Sequence, residues 1–361
     1  MKILIIKFRN IGDVLLTTPL LKNLKLHFPK ASIDFALNEG TEDMISLNPN
    51  INIIHIYKRE KLKNLNFLKR VYEEIKFANN IRKEKYDIVI NTTRGDRGLL
   101  LAIFSGAKKI IGYPSRKNKI LNRFINYKLP NLGFRHMVET HFDILKAFDK
   151  EPLEKRVEIF WSKKDEDKIK QILNDFNINE KKFVHIHPVS RWLFKCIDDQ
   201  IMAKIIDYCE NELGYKVVLT AAPIQKELKK IENILNYCKS NPINLSGKLS
   251  LKQTAALNKK AKIFIGVDTA IMHISAANDI PVLSFFGPSA AFHWGPWDNN
   301  LMESKYIKTK GNQSMGKHRV LQKDWDCVPC GKDGCNGSKI SDCLIQMNLE
   351  EIKQNIKEMI K

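Results

Sequence analysis

The stretch Lys2-Ile3-Leu4-Ile5-Ile6-Lys7-Phe8-Arg9-Asn10-Ile11-Gly12-Asp13-Val14-Leu15-Leu16 decides the fold class. Its first part is apolar without alternation. That pattern suits a strand covered on both faces, as in a parallel sheet. Gly12 then permits a tight turn. Leu15, Leu16, Leu20, Leu21 and Leu24 fall on one side of a helix expected over 14–28. Strand, turn and helix together make the opening of a βαβ unit.

The alternation continues outward. Further strands are expected at 32–37, 51–57, 87–91 and 109–112, with helices at 67–82, 98–105 and 138–148. Residues 151–164 hold Pro152 and mixed charge, and read as a linker. The pattern then restarts. Strands are expected at 183–187, 216–220, 263–267 and 281–286, with helices at 165–176, 198–213, 224–238, 251–261 and 269–278. Residues 298–343 are expected to be the least regular part, and a helix closes the chain at 349–360. The expected architecture is therefore α/β, with two doubly wound domains at 1–150 and 165–345.

Composition agrees with a folded chain. Of 361 residues, 43% are hydrophobic and 28% charged, which excludes disorder over most of the length. No run of ~18 apolar residues is present to span a membrane. Lys7, Arg9 and Asp13 interrupt the opening apolar run too early for a secretion signal, so the expected location is the cytoplasm. The net charge is +20, and it is uneven: residues 1–150 carry 28 Lys/Arg against 14 Asp/Glu. A basic face draws nucleic acid, acidic lipid head groups or phosphorylated substrates. A bias toward Lys-rich composition explains the total equally well. A basic nucleic-acid-binding protein is the alternative of a different class, although no RNA- or DNA-binding signature accompanies the charge.

Seven cysteines occur. Cys196, Cys209 and Cys238 stand alone and read as small core residues. Cys327-x2-Cys330-x4-Cys335-x7-Cys343 is a cluster that suits either a structural zinc or free thiols packing a short loop.

In doubly wound sheets, ligands sit beyond the carboxyl ends of strands. After the first strand, Asp13 is open to two roles, a helix N-cap or a general base. After 183–187 come Ser190, Arg191 and Lys195, a hydroxyl and two cations suited to phosphate, or an ordinary polar loop around Trp192. After 263–267 come Asp268 and Thr269, good helix starters whose following N–H groups form an anion site. His273 lies about one turn further on.

Three segments together resemble the family 9 glycosyltransferases, the heptosyltransferases of the lipopolysaccharide inner core. Ile5–Pro19 looks like the N-terminal signature, and Gly266-Val267-Asp268-Thr269-Ala270-Ile271-Met272-His273 like the nucleotide-site signature. Phe286-Gly287-Pro288-Ser289 agrees with the segment that follows. The opening, Ser190-Arg191-Trp192 and the late cysteines look most like the heptosyltransferase III branch. The resemblance implies a GT-B fold, with two Rossmann-like domains facing across a cleft and residues 346–361 returning to the first. It implies inverting transfer from ADP-L-glycero-D-manno-heptose to an inner-core heptose, with no cofactor and no metal. Asp13 would be the general base and Lys195 the cation at the donor phosphate. Ser190, Arg191, Glu227, Asp268, Thr269, Ala270, Met272 and His273 would line the donor site, with Gly12 and Gly287 at phosphate-side turns. The metal-free reading presumes that no Asp-x-Asp pair holds Mg²⁺ beneath the diphosphate. Lys58, Arg59, Lys61, Lys63, Arg116, Lys117, Lys119 and Arg123 would face a lipid-anchored acceptor at the inner leaflet of the inner membrane. A family member moving another sugar to another surface glycan stays open as an alternative.

Overall fold

Ile3, Leu4, Ile5 and Ile6 are fully buried, and they place strand β1 (Lys2–Lys7) inside a six-stranded sheet. Each such side chain contributes about 1.5–3 kcal/mol on leaving water. The computed structural model describes all 361 residues. The other strands of this sheet are β2 (Ser32–Asn38), β3 (Ile54–Tyr57), β4 (Ile88–Asn91), β5 (Lys109–Gly112) and β6 (Tyr127–Lys128). Their spatial order is β3-β2-β1-β4-β5-β6, and every pairing is parallel.

A second sheet repeats the plan. It holds β7 (Phe183–His187), β8 (Lys216–Leu219), β9 (Ile243–Asn244), β10 (Ile263–Val267), β11 (Val282–Phe286), β12 (Gln313–Met315) and β13 (His318–Gln322). The order is β12-β13-β11-β10-β7-β8-β9, and only β12 runs antiparallel. Without β12 this is the same winding as the first sheet. In each, the strand order reverses direction at one central pair, β1/β4 and β7/β10, and ligands bind at such a point.

Two compact units divide the chain: Met1–Gly133 with Met137–Phe160, and Trp161–Lys361 with Phe134–His136. The division falls inside the expected linker. Residues 151–160 stay with the first unit, where the buried Asn23 accepts from the Leu153 N–H at 2.6 Å. The final helix, Leu349–Ile360, lies in the second unit. Its Ile352, Ile356 and Ile360 form an i, i+4, i+8 stripe packed with Met202 and Ile206 of the helix Asp199–Asp207. No helix is long and apolar enough to cross a membrane.

Other differences have local causes. The helix expected over 14–28 is two helices, Ile11–Leu15 and Thr18–His27. Pro19 sits in the first turn of the second, where its missing N–H costs nothing. Gly12 lies inside the first of these helices, so no tight turn depends on it. The hairpin β12–β13 lies within residues expected to be irregular; His318–Gln322 is too short a run to stand out by periodicity.

Gly266 in β10 sits against the β7 backbone with no room for a side chain. A Cβ there would lie 2.7 Å from the His187 carbonyl oxygen and 2.7 Å from Phe264 Cζ. Gly266→Ala is therefore expected to destabilise the protein by about 1–3 kcal/mol. A urea midpoint lowered at unchanged m-value will show it; an unmoved midpoint contradicts the close approach.

Candidate functional site

The first site grows from the end of β1. Lys7 is the last residue of that strand and is 1% exposed. Its Nζ donates to His141 Nε2 at 3.1 Å and lies 3.8 Å from Asp13 Oδ1. His141 Nδ1 faces the Leu16 carbonyl oxygen at 3.0 Å. A carbonyl only accepts, so Nδ1 carries the proton and Nε2 offers its lone pair to Lys7. Asp13 Oδ2 accepts from the Asn10 N–H at 3.3 Å. Asn10 is the N-cap and Asp13 the third helical residue of a capping box. Asp13 is thus not the N-cap, and one of its oxygens is held while the carboxylate keeps a buried ammonium beside it. Burial pulls the Lys7 pKa down to about 8, with Asp13 opposing and Arg9 assisting.

Beyond the neighbouring β4, Arg94 lies 5.0 Å over the Tyr113 ring. Desolvation lowers its pKa; Tyr113 opposes, and nearby Arg116 and Arg9 assist. Lys58, Arg59, Lys61 and Lys63 follow β3, and Arg116, Lys117, Lys119 and Arg123 follow β5; all are exposed. Parallel strands place all these segments at one end of the sheet, the end that carries Asp13.

The second site follows β7 and β10. Lys195 Nζ meets Asp268 Oδ2 at 2.5 Å. Burial alone would raise the Asp268 pKa, but Lys195, Ser289 and His273 together hold it below the usual carboxylate value. Thr269 caps the helix Ala270–Ala277, its Oγ1 accepting from the Met272 N–H at 3.5 Å. The amides of that helix's first turn point toward the Lys195–Asp268 pair's end of the sheet. Lys195 and Arg191 approach the Trp192 ring at 5.4 and 5.9 Å. Lys195, Trp192, Ser289 and His293 help to line a cavity of about 570 Å³. Ser190 is buried, and its Oγ accepts from the Trp192 N–H at 3.3 Å.

Several expected residues also have structural duties. Met272 is fully buried, so its side chain packs in the core. Gly287 answers to packing: a Cβ would lie 2.7 Å from Leu344 Cγ and 3.1 Å from Cys343 Sγ. Glu227 is buried and accepts from the Ala222 N–H at 3.1 Å, closing the turn after β8. Burial pushes its pKa up, with Ala222 and Lys226 opposing. Ala270 begins its helix and His273 lies buried one turn further.

Asp-x-Asp triplets do occur, at Asp165–Asp167 and Asp324–Asp326. Asp165 is engaged by Ser162 in a capping box, and Asp324 and Asp326 pair with Lys310. Cys343 is buried, Cys335 half-buried, and Cys327 and Cys330 exposed; all are free thiols. Burial, then Cys335, Cys330 and Cys327, push the Cys343 thiol up to about 11. No three Cys, His, Asp or Glu side chains stand arranged to hold an ion.

Sequence reading missed Lys7, Arg94 and His141. Two signals were available. A lysine interrupts an otherwise apolar strand, and Thr92-Thr93-Arg94 follows β4 at the reversal point, where residues after every central strand merit the same reading.

Burial of Lys7 sets a pH dependence. The unfolded chain holds this proton up to about pH 10.5, whereas the folded chain releases it near 8. Between those values the unfolded state binds more protons, so stability rises with pH. Relative to Lys7→Met, wild type is expected to gain on the order of 3 kcal/mol between pH 8 and 10.5. Urea melts of both proteins across that range check it; parallel curves contradict a depressed Lys7.

Comparison with known proteins places these two sites in context. The profile of glycosyltransferase family 9 (heptosyltransferase) matches residues 75–323. Lipopolysaccharide heptosyltransferase 3 of Escherichia coli K12 is 32% identical over 295 residues, covering 81% of this chain and 84% of that protein. A family 9 glycosyltransferase from Veillonella parvula superposes with a TM-score of 0.81 at 20% identity, covering 99% of this chain and 97% of that one. The E. coli heptosyltransferase WaaC solved with ADP gives a TM-score of 0.72 at 18% identity, covering 99% of this chain and all of that one. With two Rossmann-like units of the GT-B type and the family profile across most of its length, the chain belongs to glycosyltransferase family 9 and is a glycosyltransferase.

Proposed function

We propose that this chain transfers L-glycero-D-manno-heptose from ADP-heptose to a heptose of the lipopolysaccharide inner core, in the manner of a heptosyltransferase III. The observation that carries the reading is the Lys7–Asp13–His141 group beyond β1, in a chain 30–32% identical to two E. coli heptosyltransferases of that name. Asp13 is the general base. It takes the proton of the acceptor hydroxyl as that oxygen bonds to the anomeric carbon and the bond to ADP breaks. A single displacement of this kind inverts the anomeric centre.

Lys7 and Asn10 are positioning residues. Lys7 keeps an ammonium against one carboxylate oxygen, and the Asn10 N–H orients the other. The departing diphosphate gathers negative charge. Lys195 and the first-turn amides after Thr269 supply positive potential for it, and Asp268 holds Lys195 in place. These groups do the work that a divalent cation does in other transferases, so the proposed reaction needs none. Ser190 and Arg191 serve the phosphates and Glu227 the ribose. The acceptor is lipid-anchored, and the exposed cations after β3 and β5 meet its phosphates and acids. The enzyme is thus cytoplasmic and peripheral on the inner membrane.

The test is ADP release from ADP-heptose with and without two-heptose core lipopolysaccharide. Asp13→Asn is expected to lower kcat by about 10²–10⁴ while ADP binding stays unchanged. Activity is expected to persist in EDTA. Lys195→Ala is expected to raise KM for the donor and lower kcat about 10²-fold or more. Full activity in Asp13→Asn removes the base assignment. Release that is absent with this donor but present with another nucleotide sugar replaces the heptose reading with the alternative substrate.

A further inference from the structure

The helix Phe67–Lys83 connects β3 to β4 and has two apolar faces. One is buried: Ile81, with Phe77 and Ala78, joins the core around Tyr57 and Leu62. The other is open to solvent. Phe67, Leu68, Val71, Tyr72 and Ile75 are 67, 77, 38, 64 and 55% exposed. At 100° per residue these five fall within one continuous sector of about 140°, which borders the core face and meets it at Ala78. A single exposed leucine means nothing; five large apolar side chains on one exposed stripe mark an interaction surface.

The surroundings identify the partner. Exposed cations flank the stripe: Lys69 and Lys76 on one side, Arg82 below it, and Arg70 with its guanidinium 5.8 Å from the Phe67 ring. The preceding short helix, Arg59–Lys63, adds Lys61. Lys58, Lys61 and Lys76 line a small cavity of about 130 Å³ beside Leu62, with Glu73 as the one acid. An apolar stripe bordered by cations matches the boundary of an anionic bilayer, with acyl chains below and phosphate headgroups above. A soluble acidic protein would satisfy the cations but would leave little reason for Leu68 to stand 77% exposed.

Topology places the surface usefully. A crossover helix runs antiparallel to the strands it joins. The first turns of this one therefore lie at the carboxyl end of the sheet, the end that bears Asp13. We propose that Phe67, Leu68, Val71, Tyr72 and Ile75 insert into the headgroup–acyl boundary of an anionic bilayer, with the flanking cations held against lipid phosphate. This deepens the reading of the acceptor as lipid-anchored and rests on it only for its purpose. Its test reads binding alone, so the surface and the transfer reaction stand or fall separately.

The experiment is vesicle sedimentation of the full chain with phosphatidylcholine alone and with 30% phosphatidylglycerol, at low and high salt. Leu68→Ser/Ile75→Ser and Lys69→Glu/Lys76→Glu are compared with wild type, their folding checked by circular dichroism. Wild type is expected to bind only the anionic vesicles. Each double variant is expected to bind at least tenfold more weakly. Salt is expected to weaken binding without abolishing it, because the apolar part is not screened. Tyr72→Trp gives a direct readout: its emission is expected to shift to the blue on adding anionic vesicles and to stay put with neutral ones. Unchanged emission, or vesicle binding by Leu68→Ser/Ile75→Ser equal to wild type, overturns the proposal. So does a stable dimer that Leu68→Ser/Ile75→Ser converts to monomer, which would assign the stripe to a second copy of this chain.

Discussion

Each sheet has one place where crossover helices part to opposite faces, between β1 and β4 and between β7 and β10. At that place the carboxyl ends of two central strands are left uncovered, and backbone amides of the following helices point outward. The remaining chemistry is arranged around these two openings. Asp13 follows β1, Arg94 follows β4, Lys195 follows β7 and Asp268 follows β10. A change of strand order would scatter these groups.

Both openings hold an ammonium against a carboxylate, but in unlike surroundings. Lys7 is sealed beneath Asp13 and lowered toward neutrality by burial. Its contact at 3.8 Å is loose, and His141 provides the closer partner. Lys195 is partly open and meets Asp268 directly, so that carboxyl is stabilised as the anion. A buried pair of this sort adds little net stability, since desolvation consumes most of the attraction. Its value lies in fixing geometry and potential. The first pair fixes the Asp13 carboxylate, the proposed base; the second keeps a cation available at a helix N-terminus.

The basic surplus of the front half acquires a shape from the same topology. Because all six strands of the first sheet are parallel, loops far apart in sequence emerge at one end of it. Lys58–Lys63 and Arg116–Arg123 come from opposite sides of the sheet yet share that end with Asp13. Charge counting alone detects the surplus but not this placement. It also misses the apolar stripe on helix Phe67–Lys83, because a count of charges reads that segment only as a basic helix.

The sequence by itself determined the fold class, since continuous apolar runs such as Ile3–Ile6, alternating with helical patterns, suit parallel strands covered on both faces. It also exposed the residues that directly follow strand ends, because Asp13, Lys195 and Asp268 lie within a few residues of those ends. Only the tertiary structure decided which groups meet. His141 is 134 residues from Lys7, and no local pattern encodes a contact closed by packing the helix Met137–Phe142 against the end of β1. The packing of the Met272 side chain and the tight surroundings of Gly287 were likewise hidden, because burial depends on neighbours that sequence order does not reveal. The last helix carried its apolar stripe plainly; the partner of that stripe, the helix Asp199–Asp207, was fixed by the space that the folded second unit left open.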